Sequence, residues 1–129
     1  MTSERESPIR RPSTRADLEK LSAEQLAVVY LTVDWSCSER SSRTVFVQAV
    51  DRLIASSPID GRIAFYVIHD DCEGFEEWTK ALAVPWAIAG AGTVVWLRNG
   101  NVVWSEVNAA ATGVEKLVEI TISHFGELS

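Results

Sequence analysis

The ten residues Asp34–Arg43, DWSCSERSSR, place a cysteine at the foot of a helical stretch with two arginines close behind it. A helix N-terminus and nearby cations both stabilise a thiolate, so Cys37, with Arg40 and Arg43 beside it, is the candidate reactive thiol. The competing reading is a small, part-buried loop residue. Cys72 is the only other cysteine. It follows an apolar run that should lie next to the run preceding Cys37, which would bring the two within reach of a disulfide. A reducing cytosol argues against that bond, and two free thiols are the expectation. Two cysteines are too few for a disulfide framework, and their spacing matches no zinc pattern.

Other residues could also carry chemistry. The segment HDDCEGFEE (69–77) gathers a histidine, a cysteine and five carboxylates. It lacks a recognisable ligand spacing, and acids in the first turn of a helix are ordinary helix chemistry, so no metal is expected. His69 closes an apolar run and reads as a hydrogen-bonded structural residue, while His124 reads as solvated. Glu39 stands three residues after Ser36, the spacing of a capping box, and a carboxylate there is favoured by ~0.3–1 kcal/mol. It would also occupy a helix end that could otherwise take a phosphate.

The elements that position these residues follow from periodicity. Ser13 or Thr14 caps the helical RADLEKL, and Ser22 with Gln25 gives a second cap signal. LAVVYLTVD (26–34) and RIAFYVIHD (62–70) are nearly continuous apolar runs, the signature of strands buried on both faces. Between them Phe46, Ala49, Val50 and Leu53 recur at helical spacing up to about Ser57. CEGFEEWTKALAV (72–84) is a helix with acids first and Lys80 near its end. GTVVWLR and NVVWSEV are strands joined through Asn99-Gly100, the strongest short hairpin signal. Thr112 and Glu115 box the start of a last helix with Val114, Leu117, Val118, Ile122 and Phe125 inward. Strand–helix–strand units require a parallel pair with a right-handed crossover, and the hairpin adds an antiparallel edge. The fold class is α/β: a central mixed sheet with helices on both faces.

With 129 residues the chain is read as one domain, residues 14–129, after a polar, proline-containing tail, residues 1–13, expected to be disordered. The formal charge of −6 argues against nucleic acid as a partner. No apolar run reaches the ~18 residues of a membrane span. The N-terminus lacks the apolar core of a secretory signal, and the expected location is cytoplasmic.

Three stretches in this order resemble the thioredoxin family. LTVDWS resembles the strand entering the thioredoxin active site, with Trp35 at the tryptophan ahead of it. WAIAGAGTVVWLRNG resembles the segment that carries a proline–threonine pair, a strand and a hairpin. EVNAAATGVEKLVEI resembles the closing strand, small-residue turn and last helix. The likeness spans roughly residues 20–126. It implies the thioredoxin fold and, for the family's chemistry, two thiols two residues apart at a helix N-terminus.

Anchored on Trp35, those two positions fall on Glu39 and Ser42, and Arg43 takes the family's usual basic position. A second register makes Cys37 the nucleophile and puts Arg40 where the resolving thiol belongs; the first needs no gap. The resemblance also implies a cis-proline, where this chain has Gly92 ahead of Thr93, and a buried acid, where it has Val33. A non-proline cis bond costs ~2.5–4 kcal/mol, so Gly92 is expected to be trans. Asp34 would point to the opposite face of the strand and is no substitute for the acid.

The expectation is therefore a redox-inactive thioredoxin-like domain that binds a protein or peptide, with no catalytic residue and no cofactor. Its binding face would comprise Trp35, Cys37, Glu39, Arg40, Gly90, Ala91 and Gly92. The alternative is a monothiol thiol–disulfide oxidoreductase or peroxide-reactive protein using Cys37. A homodimer through the tryptophan-bearing sheet edge is a further expectation.

Overall fold

The computed structural model describes residues 9–32, 39–56, 63–69, 71–82, 92–106 and 108–125. Trp35, Cys37, Gly90 and Ala91 lie outside these residues, as do Val33, Asp34, Ser36 and Trp86.

The element order is β1 (Ile9–Arg10), α1 (Arg15–Ser22), β2 (Leu26–Thr32), α2 (Glu39–Ser56), β3 (Ile63–His69), α3 (Phe75–Leu82), β4 (Thr93–Arg98), β5 (Asn101–Glu106), α4 (Ala109–Thr112) and α5 (Val114–Phe125). The strands form one five-stranded sheet in the order β1-β3-β2-β4-β5. β1 and β2 run parallel to β3, whereas β4 is antiparallel to both β2 and β5. The α/β mixed sheet expected from the sequence is the one observed.

Strand β2 is the centre of the fold, and all seven of its residues are buried. Successive strand side chains point to opposite faces, so its alternation feeds two cores. Leu26, Val28 and Tyr30 pack with Phe46, Val50 and Leu53 of α2 and with Leu117, Ile120 and Phe125 of α5. Ala27, Val29 and Leu31 pack with Leu18 and Leu21 of α1 and with Phe75 of α3. Within the first core the Tyr30 and Phe46 rings stack at 5.2 Å between centroids. Trp96 is fully buried and donates its indole N–H to Thr121 Oγ1 at 2.8 Å.

Local chemistry fixes the element ends. Thr14, rather than Ser13, caps α1: its Oγ1 accepts from Asp17 N at 3.2 Å, and Asp17 Oδ2 accepts from Thr14 N at 3.3 Å and Ser13 N at 3.0 Å. These hydrogen bonds hold the Asp17 carboxyl below its usual range. The hairpin turns through Asn99 (φ 54°) and Gly100 (φ 82°), the positive-φ pair that matches the twist of its strands. A side chain on Gly100 would also stand 2.7 Å from the Ser22 carbonyl oxygen.

Four expectations are corrected. Ile9–Arg10, assigned to the disordered tail, forms an edge strand paired with Phe65 and Tyr66. Ser22 opens no second helix; it ends α1, and its hydroxyl accepts the Trp78 indole N–H at 3.2 Å. Thr112 is not the cap of the last helix but ends the short α4, bonded to Asn108 O and Glu106 Oε1. Ile122 is not inward but 46% exposed; Ile120 and Thr121 fill the inner face instead. That stripe includes a threonine because Trp96 needs a hydrogen-bond acceptor.

Two predictions follow. Thr121→Val keeps the volume but leaves the Trp96 N–H unpaired in the core, and should cost about 1–3 kcal/mol, read as a lower urea midpoint at constant m-value. Asp17 has a depressed folded pKa, so its contribution is present above the unfolded value near 3.8 and lost as pH falls through the lower folded value. Asp17→Asn should therefore flatten the fall in thermal midpoint below about pH 4.

Candidate functional site

β2 and β3 are parallel and β4 opposes them, so one end of the sheet collects the last residues of β2 and β3, the first of β4 and the last of β5. Thr32 lies beside His69, Leu31 opposite Thr93, and Val94 opposite Glu106. The chain leaves β2 at this end and enters α2, whose first described residues are Glu39 and Arg40. In parallel-sheet folds this is the end where ligands are met.

Ser42 is the best-defined residue of the site. It continues the inner stripe of α2 ahead of Phe46 and is 1% exposed. Its hydroxyl donates to Asn108 Oδ1 at 3.2 Å and accepts from Ala110 N at 2.9 Å. Asn108 is the N-cap of α4, its Oδ1 also accepting from Ala111 N at 3.1 Å. A hydroxyl that donates once and accepts once is already satisfied. The atom receiving its proton is an amide oxygen, which has no basicity with which to activate a nucleophile.

Gly92 closes the site from the other side. Its φ is 87°, and a Cβ there would lie 2.3 Å from Ser42 Cβ and 2.6 Å from the Tyr30 hydroxyl oxygen. Its carbonyl accepts from Ala109 N at 3.0 Å. Both the backbone and the space thus require glycine. The group that approaches Gly92 closely is the chain's own α2. Ser42 is the residue of α2 packed against Gly92.

Arg43 is half-buried and donates from Nη2 to the buried Thr32 Oγ1 at 2.9 Å, tying the first turn of α2 to the end of β2. The structure therefore brings Ser42, Arg43, Thr32, Gly92 and Asn108 together. Asn108 and Tyr30 were missed in the sequence. An asparagine before a run of alanines is a helix-cap signal that could have flagged Asn108, whereas Tyr30 carries no signal beyond its place in an apolar run.

The remaining candidates separate from this cluster. Cys72 is a free, buried thiol in the turn before α3. Burial first, then the charges of Asp17, Asp71 and Glu73, push its pKa up, the opposite of what a nucleophilic thiol needs. Two acids of this segment tie it to α1. Glu73 Oε1 accepts from Arg15 N at 3.1 Å, and Glu77 Oε1 pairs with the Arg15 guanidinium at 2.5 Å. Among the described residues no cluster of metal-ligating side chains forms. His124 is not simply solvated; it is half-buried, its ring 5.4 Å from that of Trp104.

No family model and no curated protein matches the sequence. Solved structures do match. A thioredoxin from Malassezia sympodialis superposes with a TM-score of 0.66 at 16% identity, covering 90% of each chain. Thioredoxin f2 of Chlamydomonas reinhardtii gives 0.64 at 17% identity, covering 91% of this chain and 96% of the other. Human ERp44 in a zinc-bound form gives 0.67 at 17% identity, covering 89% of this chain and 30% of that longer one. At these identities the likeness establishes the thioredoxin fold.

The packing makes a sharp prediction. Gly92→Ala should lower the thermal midpoint more than Ser42→Ala, since it adds overpacking to a positive-φ penalty, each about 1–3 kcal/mol. Combining it with Ser42→Gly should recover part of the loss. Additive losses in a thermal-melt double-mutant cycle would refute the direct contact.

Proposed function

We propose that this chain, a domain of thioredoxin fold, is redox-inactive and uses the vestigial active-site end of its sheet to bind a protein or an extended peptide. The observation supporting this reading is the state of Ser42. Where the resemblance calls for a resolving thiol, a hydroxyl is fixed between an amide oxygen and a backbone N–H. Dithiol exchange needs two sulfurs that alternate between bonded and free. The sequence offers Glu39 and Ser42 at those places, and its two cysteines are 35 residues apart, so no CxxC pair exists.

The binding face would comprise Trp35, Cys37, Glu39 and Arg40 with the Gly90–Ala91–Gly92 loop. Gly92, the described member of that loop, is buried against Ser42 and Tyr30. Trp35 supplies an aromatic anchor of the kind that dominates peptide recognition, and strand ends offer backbone groups to an extended ligand. The expected setting is cytoplasmic. Among the described residues no helix is long and apolar enough to cross a membrane.

The test is an insulin-reduction assay with dithiothreitol, run beside a thioredoxin. The wild-type chain and Cys37→Ala should both match the dithiothreitol background. Turnover that disappears in Cys37→Ala would instead establish the monothiol enzyme. For binding, an immobilised chain should retain a discrete partner from its native lysate, with Trp35→Ala reducing capture at least about tenfold, as a buried aromatic anchor implies. Sedimentation at several concentrations separates this from self-association.

A further inference from the structure

Three cations converge at the short edge strand of this acidic protein. Arg10, Arg11 and Lys20 line an open pocket of about 230 Å³, together with Pro12, Asp17 and Tyr66. Arg10 is held in place: its Nη1 lies 3.2 Å from Glu24 Oε2, and its guanidinium sits 5.9 Å from the centroid of the Tyr66 ring. The Tyr66 hydroxyl donates to the same Glu24 oxygen at 2.8 Å. The Asp17 carboxylate is spent on the Ser13 and Thr14 N–H groups. Arg11 and Lys20 are exposed, and among the described residues neither makes a direct salt bridge, although the Lys20 charge reaches the Asp17 carboxylate.

Charge and size narrow the ligand. Three cations face two carboxylates, Asp17 and Glu24, so the pocket is locally positive although the chain carries −6. Pockets for drug-sized ligands run about 300–1,000 Å³, so this one suits a compact group. Tyr66 is buried and covered by Arg10, leaving no open ring on which a base could stack. A guanidinium offers five donors in a planar fork, a geometry matched to phosphoryl oxygens, and an ammonium adds a point charge. A dianion also gains twice the Coulomb attraction of a carboxylate from each cation.

We propose that the Arg10–Arg11–Lys20 pocket binds a phosphoryl dianion, either free phosphate or a phosphomonoester such as the phosphoserine of a partner. The site lies along the β1 edge and is independent of the peptide-binding reading.

The test is a titration of the full-length chain, followed by backbone amide NMR shifts at low ionic strength above pH 7. The probes are inorganic phosphate, a phosphoserine peptide and its unphosphorylated form. Both phosphorylated probes should give saturable shifts around residues 10–20 and Tyr66, weakening as salt is added; the unphosphorylated peptide should give none. Tighter binding of the phosphopeptide would mark a partner's phosphoserine as the source, and equal binding would mark free phosphate. Arg11→Gln and Lys20→Gln, both at exposed positions, should each weaken binding about tenfold, while Lys116→Gln on α5 leaves it unchanged. Absence of saturable shifts at the pocket, or shifts that survive the Arg11→Gln/Lys20→Gln double variant, would overturn the assignment.

Discussion

Strand β2 has no free face and no free edge: β3 and β4 flank it, and helices cover both sides. A strand in that position cannot slip by one residue, because a slip would exchange its entire side-chain set between two differently shaped cores. Tyr30 would leave the Phe46 ring, and Leu31 would leave the α1 side. Its register in turn sets that of its neighbours, and with it which backbone atoms meet at the end of the sheet. Thr32, His69, Thr93 and Glu106 share that end because of β2, whatever side chains they carry. The scaffold positions a site first; the residues placed there decide what the site can do.

At this end the residues make a static arrangement. Each hydrogen bond of the Ser42 hydroxyl contributes a net ~0.5–1.5 kcal/mol, and leaving either partner buried and unpaired would cost more. Together they dock the start of α4 onto the first turn of α2, while the Arg43–Thr32 bond fixes that turn to β2. Gly92 lets this happen by having no side chain, so its own backbone, α2 and α4 come into contact around one serine. A group with these bonds has a structural role that a redox-cycling sulfur, which must change partners, could not fill as well.

The sequence was most informative where local physics and tertiary demand coincide. The apolar run 26–34 reads as a doubly buried strand, of which Leu26–Thr32 is described and wholly buried, and Asn99-Gly100 reads as the hairpin turn that is found. Illegible were the features created by distant partners. The two residues Ile9–Arg10 have no periodicity of their own and become a strand only because β3 offers an open edge. Ser22 looks like a cap, but Trp78, 56 residues away, takes its hydroxyl. Thr121 looks misplaced on an inner face until Trp96 supplies the N–H that needs it. Gly92, placed by its sequence position on the proposed binding face, is buried where Ser42 and Tyr30 leave no room for a side chain.

Electrostatics argues against Cys72 as a reactive thiol. Cys72 sits among Asp17, Asp71 and Glu73 and is buried, so both desolvation and field disfavour its thiolate. Any thiol chemistry in this chain would therefore have to pass through Cys37 alone. A single thiolate can attack a disulfide, displacing one sulfur and forming a mixed disulfide, but that adduct is discharged only when a second thiol attacks it. With Cys37 as the nucleophile, the position where a resolving thiol would belong is Arg40, which carries no sulfur. The second thiol would have to come from solution, and the chain would serve as a stoichiometric acceptor unless such a thiol were in excess. On the proposed reading, a face that held a polypeptide beside one unresolved thiol would be better suited to retaining its partner than to turning it over.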